Sequence, residues 1–407
     1  MKKILIIGAG DFQLPLVQEA AKQYEVYVAA PKVDKAFEPY IKQAFITDVR
    51  AENEILDFAK NVGIVGVVTD QTDIAVRTVA YVAEKLGLPG IGYDSACLFT
   101  DKALMRKRMT ELGIPTLPNK EVFSLKEAKE YYTEIGGLVI IKPVDSQGSR
   151  GVQVCYNIQD LESKYAESEN WSSNKGVVIE RLASGREFFV EGASVDNKYE
   201  TLICGDTLYF DIPDAFAAKS RIVPSLADQK LYERVCELDR KLITGFGLKQ
   251  GLNHSEYIMD GDEIYLIETA ARGGGVFISS DLISLSTGLN TEEFLLNIAI
   301  GKQKELPYFQ KQKCVCGYIA LFIPKGKVIS VSGIDEVKSL PYVHRHQLDK
   351  LVVGLENKSG NTDKTSRIAL IVSADNRTEF DERVKYIQSI LTAEIQTSDG
   401  IKGIIWE

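Results

Sequence analysis

Apolar runs that end in an acid constrain this chain more than any other feature. Val177-Val178-Ile179-Glu180 and Ile264-Tyr265-Leu266-Ile267-Glu268 both read as buried strands closed by a glutamate. An unpartnered carboxylate is costly in such a place, so each needs a cation, a metal or hydrogen-bond donors beside it. The neighbouring sequence supplies partners in a fixed order. Lys142-Pro143 ends another apolar strand and Gly148-Ser149-Arg150-Gly151 follows. Glu187 and Glu256 come next, and Arg272-Gly273-Gly274-Gly275 closes the series. Cations suit phosphate, glycines let backbone amides wrap it, and carboxylates suit magnesium or a ribose hydroxyl. Together these are the needs of a nucleotide triphosphate.

Composition narrows the class. At 407 residues the chain has room for several domains. Its 45% hydrophobic and 26% charged residues are those of an ordinary globular protein. A net charge of −9 argues against non-specific nucleic-acid binding, which needs basic surface. The six cysteines are scattered without a Cys-x-x-Cys pair, and only three histidines accompany them, so a zinc site is not expected. Reduced thiols point to the cytoplasm. Residues 4–7 after Met1-Lys2-Lys3 are apolar but are broken by Gly8 and Gly10. No run approaches the ~20 apolar residues of a membrane span.

Residues 1–100 alternate apolar strands at 4–7, 26–29 and 65–69 with helical stretches at 14–24, 52–61 and 74–86, up to Pro89-Gly90-Ile91. That rhythm predicts a parallel sheet with helices on both faces. Residues 101–112 read as a helix with Lys102 and Arg106 one turn apart, a spacing that by itself fits a solvated face. Strands follow at 139–142, 152–156 and 177–180, with a polar, helix-biased link over 158–176. Segments 188–195 and 199–205 form a hairpin, and a helix covers 229–245. Strands 253–259 and 263–268 flank Asp260-Gly261-Asp262, a second hairpin that sets Glu256 and Glu268 to converge on one ion. Beyond about 305, strands near 315–323 and 368–373 and a helix over 379–391 make a small α+β tail.

Gly8-Ala9-Gly10 invites a dinucleotide reading, which two departures defeat. Gln13 stands where the third glycine of that fingerprint belongs, and the second strand ends in Ala29-Ala30-Pro31 instead of an acid. A plain strand-to-helix turn accounts for the glycines, with Gln13 and its neighbours left to border a substrate.

The order and spacing of the whole set resembles the ATP-grasp superfamily, which includes biotin carboxylase, D-alanine–D-alanine ligase, glycinamide ribonucleotide synthetase and bacterial L-amino-acid ligases. The stretch Glu268-Thr269-Ala270-Ala271-Arg272-Gly273-Gly274-Gly275 is especially similar to the L-amino-acid ligases and to carbamoyl-phosphate-synthase-like relatives. The resemblance implies a mixed α/β and α+β chain. A pre-ATP-grasp, Rossmann-like parallel-sheet domain would cover 1–100 and the ATP-grasp domain 101–302, with its lid subdomain at about 140–184. A small C-terminal α+β domain would cover 303–407. It also implies ATP and Mg2+ as the bound groups, with Mn2+ as an alternative ion.

Roles follow from the same resemblance. Lys102 and Lys142 match the phosphate lysines, and Ser146, Gly148, Ser149 and Gly151 the glycine-rich lid. Glu180, Arg181 and Leu182 match the adenine hinge, where Glu180 accepts from the exocyclic amine and the Leu182 amide donates to the ring. Glu187 falls at the ribose, and Glu256 and Glu268 match the magnesium ligands. Arg272 matches the arginine that stabilises the transferring phosphoryl group, which makes Arg272 and Lys142 the catalytic pair. His254, Gly274, Ser279, Lys219 and Arg221 are expected around the acceptor pocket, with Phe216 in the loop 211–224. Many members carry an asparagine ligand where this chain has Ala270.

The implied activity is ATP-dependent carboxylate–amine ligation through an acyl phosphate. The expected partners are a small-molecule carboxylate, an amine and a second copy of the chain, without nucleic acid or membrane. Two other readings stand beside it: a bicarbonate-phosphorylating, carbamoyl-phosphate-synthase-like enzyme, and a non-catalytic nucleotide-binding regulator.

Overall fold

The computed structural model describes residues 1–212, 217–310, 313–358 and 367–407. Strands β1 (Lys3–Ile7), β2 (Glu25–Ala30), β3 (Gln43–Ile46) and β4 (Gly66–Val68) form a parallel sheet of order β3-β2-β1-β4. Helices α1 (Leu14–Ala21) and α2 (Glu52–Val62) supply crossovers, and α3 (Val76–Leu86) follows β4. The chain reverses its direction of travel across the sheet between β1 and β4. Crevices for ligands open at the C-terminal ends of strands at such a point. β3 has no counterpart in the sequence reading, because an edge strand with both ends exposed carries no apolar run. Pro89-Gly90-Ile91 leads into α4 (Tyr93–Thr100) and is not a strand.

The next unit begins with α5 (Lys102–Glu111), capped by the Asp101 carboxylate on the Leu104 amide at 3.0 Å. Strands β5 (Asn119–Val122), β6 (Val139–Pro143), β7 (Gln153–Cys155) and β8 (Val177–Arg181) form an antiparallel sheet of order β5-β8-β6-β7, with α6 (Leu125–Ile135) and α7 (Ile158–Asn170) packed on it.

The central sheet has eight strands. β9 (Arg186–Val195), β10 (Lys198–Tyr209) and β11 (Ala218–Val223) come first. After α8 (Gln229–Gly245) the hairpin β12 (Gly251–Asp260) and β13 (Glu263–Ala270) joins them. β11 lies inside the segment 211–224 that the sequence reads as a loop, and Phe216 falls outside the described residues. Two short helices, α9 (Ile283–Thr287) and α10 (Thr291–Ala299), precede β14 (Val315–Leu321). Strand β15 (Gly326–Ser332), helix α11 (Ile334–Ser339), β16 (Val343–His346), β17 (Glu356–Asn357), β18 (Ile368–Ala374), α12 (Arg377–Ile390), β19 (Thr392–Thr397) and β20 (Gly400–Lys402) complete the chain. β14, β18 and β16 extend the central sheet, in the order β13-β12-β9-β10-β11-β14-β18-β16. Only β17, β15, β19 and β20 make a sheet of their own, so the residues after 303 share their main sheet with the grasp.

Behind the central sheet α8 is fastened by one buried acid. Asp239 is fully buried and accepts from the Tyr257 hydroxyl at 2.8 Å, from Asn253 Nδ2 at 3.3 Å and from the Tyr199 hydroxyl. Replacement by alanine leaves three buried donors without an acceptor. Asp239→Ala should therefore lower unfolding free energy by about 3 kcal/mol in a urea titration followed by far-UV circular dichroism.

Candidate active site

Register assembles the site. Residues directly opposite in neighbouring strands point to the same face. Glu191 faces His254, Phe189 faces Glu256, and Glu256 faces Glu268 across the hairpin. On the other side Glu187 pairs with Thr207, and Thr207 with Arg221. Glu187, Glu191, Arg221, His254, Glu256 and Glu268 therefore stand on one face of the central sheet.

The buried cations of the expected set come to this face from α5 and β6. Lys102 Nζ lies 2.8 Å from Glu268 Oε1 and donates to the Ser146 carbonyl at 2.8 Å. Lys142 Nζ lies 3.0 Å from Glu180 Oε1. Arg106 donates from Nε to Glu180 Oε2 at 2.7 Å and from Nη2 to the Ile267 carbonyl at 2.8 Å. Both Lys102 and Arg106 are buried, so the helix face that spacing alone leaves to solvent is an interior one. Burial alone would raise the Glu180 carboxyl, but Arg106 and then Lys142 hold it down at about 2.

Glu180, Arg181 and Leu182, the residues expected at the hinge, each have a partner within the chain. Glu180 Oε2 accepts from Arg106 Nε and Oε1 from Lys142, bonds that do not exhaust the roughly four acceptor positions of a carboxylate. The Leu182 amide donates to the Leu138 carbonyl at 2.9 Å, and Arg181 pairs with Asp260 at 2.7 Å.

Arg221, His254, Glu191 and Glu256 form one network. Arg221 Nη1 lies 2.9 Å from His254 Nε2, and Nη2 donates to Glu256. His254 Nε2 is 3.1 Å from Glu256 Oε1, and its Nδ1 contacts Glu191. Burial acts to raise the Glu256 carboxyl, yet Arg221 first and His254 next hold it well below the usual carboxylate range. Burial acts to lower the His254 imidazole, and Glu191 together with Glu256 more than offsets it, so the pKa is raised. His254 is thus an interior connector. Glu191 was not anticipated, although Phe188-Phe189-Val190-Glu191 carries the same apolar-run-plus-acid signal as the glutamates that were. Its second oxygen accepts from the Gly274 amide at 2.9 Å. A Cβ on Gly274 would lie 2.3 Å from Glu191 Oε1, so only glycine fits there.

Glu187 differs from its neighbours. It accepts from the Tyr209 hydroxyl at 2.7 Å, but burial raises its carboxyl to about 7, and the charge of Glu256 adds to that. Two expected acceptor residues are not brought to the cleft. Ser279 is fully buried behind Gly273. Lys219, at the bulge where β10 and β11 lose register, pairs instead with Glu407.

A cleft separates the parallel sheet from the β5–β8 sheet. Lys102, Glu268, Asp73, Ser146 and Gln147 line one compartment, and Gly8, Gly10, Gln13 and Arg150 line the next. Arg50, Ile74 and Gln147 border both, which makes them continuous. Gly148, Ser149 and Gly151 bend the overlying loop through positive φ values of 66°, 59° and 71°. A Cβ on Gly151 would meet Pro143 at 2.8 Å and Trp171 at 2.9 Å. Gln13 fills the place of the missing third glycine: its Oε1 accepts from the Gly10 amide at 2.8 Å and its Nε2 donates to the Asp70 carbonyl at 2.9 Å.

The face fits an anionic ligand with a hard cation. Arg221 Nε and Thr207 Oγ1, neighbours across β10 and β11, are buried without a hydrogen-bond partner among the described residues. Glu256 and Glu268 offer hard oxygens side by side, and no group of three His, Cys, Asp or Glu among the described residues would hold a metal alone. Such a pair suits magnesium, which keeps several waters and leans on substrate phosphates.

Residues 101–306 match the family described as "Carbamoyl-phosphate synthase L chain, ATP binding domain", just over half of the 407 residues. The chain belongs to this family. Its relatives include alanine–anticapsin ligase of Bacillus subtilis, 27% identical over 285 residues, which are 64% of this chain and 60% of the relative. The chain thus spans about three fifths of that relative's length. Among solved structures, an L-amino acid ligase from Bacillus licheniformis superposes with a TM-score of 0.82 at 20% identity, covering 98% of this chain and 99% of the other. Phosphoribosylglycinamide synthetase from Anaerococcus prevotii gives 0.75 at 17% identity, with 96% and 99% covered. The fold of this ATP binding domain and its flanking parts is the ATP-grasp fold. Among the described residues no helix is long and apolar enough to cross a membrane.

The raised Glu187 carboxyl has a measurable sign. The folded chain keeps this proton to about pH 7 while the unfolded carboxyl loses it near 4.5, so stability falls as pH rises through that window. Glu187→Gln removes the loss. Its melting temperature should gain on the wild type from about pH 5 to about pH 7.5, as read by differential scanning fluorimetry.

Proposed function

We propose that the chain is an ATP-dependent carboxylate–amine ligase that forms an amide or peptide bond and releases ADP and phosphate. The observation that carries this reading is the in-register pair Glu256 and Glu268, with Lys102 2.8 Å from Glu268, Lys142 acting on Glu187 and Arg272 on Glu268. Its relatives named as alanine–anticapsin ligase and L-arginine-specific L-amino acid ligase support it. In this reading a parallel-sheet part covers 1–100, a grasp 101–302 with its lid at about 140–184, and a tail 303–407. A homodimer in the cytoplasm, with the six cysteines free, completes the reading.

Lys102 and Lys142 would hold the phosphates, with Ser146, Gly148, Ser149 and Gly151 closing over them. Glu187 would face the ribose. Glu256 and Glu268 would hold magnesium, which would supply neutralisation of the phosphate charge. A substrate carboxylate oxygen attacks the γ-phosphorus, the bond to the bridging oxygen of ADP breaks, and an acyl phosphate forms. The amine nitrogen then attacks the acyl carbon, the carbon–oxygen bond to phosphate breaks, and the nitrogen loses a proton. Arg272 keeps one N–H on Nη1 and one on Nη2 beyond those bonded to Asp73 and Gly273, enough to meet a phosphoryl oxygen in transit. Positioning and charge neutralisation carry the rate, and no covalent nucleophile is needed.

The decisive experiment is a matrix of paired amino acids and other carboxylates and amines with ATP and magnesium. Phosphate release is the readout, and mass spectrometry identifies products. ADP formation that depends on bicarbonate alone would favour carboxylation, and no ADP with any pair would favour a regulator. Arg272→Ala should lower ADP formation by about a hundredfold or more with unchanged circular dichroism, and Lys142→Ala should lower it as much while also lowering the melting temperature, because it leaves Glu180 short of a cation. Near wild-type turnover in either would sink the assignment.

A further inference from the structure

Arg272 does not set its own orientation. Its Nε and Nη2 donate to the two oxygens of Asp73 at 2.7 and 2.9 Å, and Nη1 donates to the Gly273 carbonyl at 2.9 Å. A planar fork held on both prongs has one direction. Asp73 belongs to the parallel-sheet part, in the loop between β4 and α3, 199 residues away in sequence.

That loop touches the Arg272 segment three times. Besides the Asp73 fork, Asp70 accepts from the Gly273 amide at 2.9 Å and Gln71 Oε1 accepts from the Phe277 amide at 3.0 Å. The segment it braces is strained, since Val276 and Phe277 both sit at positive φ, 58° and 63°. On its other side the loop is held by the glycine-rich lid. Gln147 Oε1 accepts from the Asp73 amide at 2.8 Å and from the Ile74 amide at 3.0 Å. Gln147 itself follows Ser146, whose carbonyl accepts from Lys102, and precedes the turn at Gly148 and Ser149.

We propose that Gln147 and Asp73 are positioning residues, through which seating of the lid sets Arg272 for phosphoryl transfer. This rests on the ligase reading of the same site. With the lid seated, one side-chain oxygen pins two consecutive amides and the Asp73 carboxylate aims the guanidinium. With the lid lifted, both amides lose their acceptor, the loop 70–74 loosens, and Arg272 keeps a partner but no fixed frame. Arg272 is then correctly placed only when water is excluded, which protects an acyl phosphate from hydrolysis.

The test compares Gln147→Met, which keeps length and removes the acceptor, with Gln147→Glu, which keeps an accepting oxygen. Hydrogen–deuterium exchange on the full chain reads the linkage without turnover. Gln147→Met should speed exchange at 73–74 and also at 272–277, by about fivefold or more, and Gln147→Glu should stay near wild type. With a productive carboxylate–amine pair, Gln147→Met should lower kcat about tenfold, shift KM for ATP by less than about threefold, and release more phosphate per amide formed. Exchange that rises at 73–74 but not at 272–277, or an unchanged kcat in Gln147→Met, overturns the proposal. Wild-type chain that makes no ADP with any pair, while the exchange linkage persists, overturns the ligase reading and leaves the linkage standing.

Discussion

The buried triad of Glu180, Arg106 and Lys142 is the interaction on which the rest depends. One carboxylate on β8 joins a cation from α5 to a cation from β6, and Arg106 carries the tie onward to the Ile267 carbonyl of β13. Three units thus meet at two oxygen atoms. Removing one partner of such a group leaves an uncompensated buried charge, which is strongly destabilising. Lys142 therefore has two duties. It completes the neutralisation of Glu180, and it points to the face where Glu187 and Glu256 stand.

Much of the site was legible because buried charge leaves a mark in a sequence. Lys142, Glu180 and Glu268 each interrupt or end an apolar run, and each has a charged partner within about 3 Å. The hairpin of β12 and β13 was readable from its Asp-Gly turn, and its register brings Glu256 opposite Glu268. Helix α8 was visible end to end from its periodicity. What escaped has a shared cause. Asp73, Gln147 and Asp70 lie in loops, where no periodicity marks a functional side chain, and their importance comes from contacts across 70 to 200 residues of chain. Arg106 escaped because a basic residue at helical spacing reads as solvated until the strand that covers it is known. β3, β11 and β16 are short or partly exposed, and the extension of the central sheet by β14, β18 and β16 is a matter of topology that local pattern does not encode.

The acids of the central face divide by their neighbours. Glu180 and Glu256 are buried beside cations and stay ionised, whereas Glu187 has only a tyrosine hydroxyl and holds its proton to about 7. The carboxyls of this face are thus held at different pKa values by their neighbours, with Glu187 raised to about 7 and Glu256 held low. Ala270 fits the same pattern, since it adds no further ligand oxygen beside the His254–Glu191 contact.

The continuity of the central sheet across residue 303 has a consequence for how the molecule can be divided. β11, which carries Arg221, is bonded on its far side to β14, and β14 in turn to β18. A fragment cut after the grasp would leave the amides and carbonyls of β11 unpaired along a raw border. Exposed borders of that kind recruit other chains and promote clumping. The tail is thus a structural selvedge for the grasp, and the two must be made and handled as one piece.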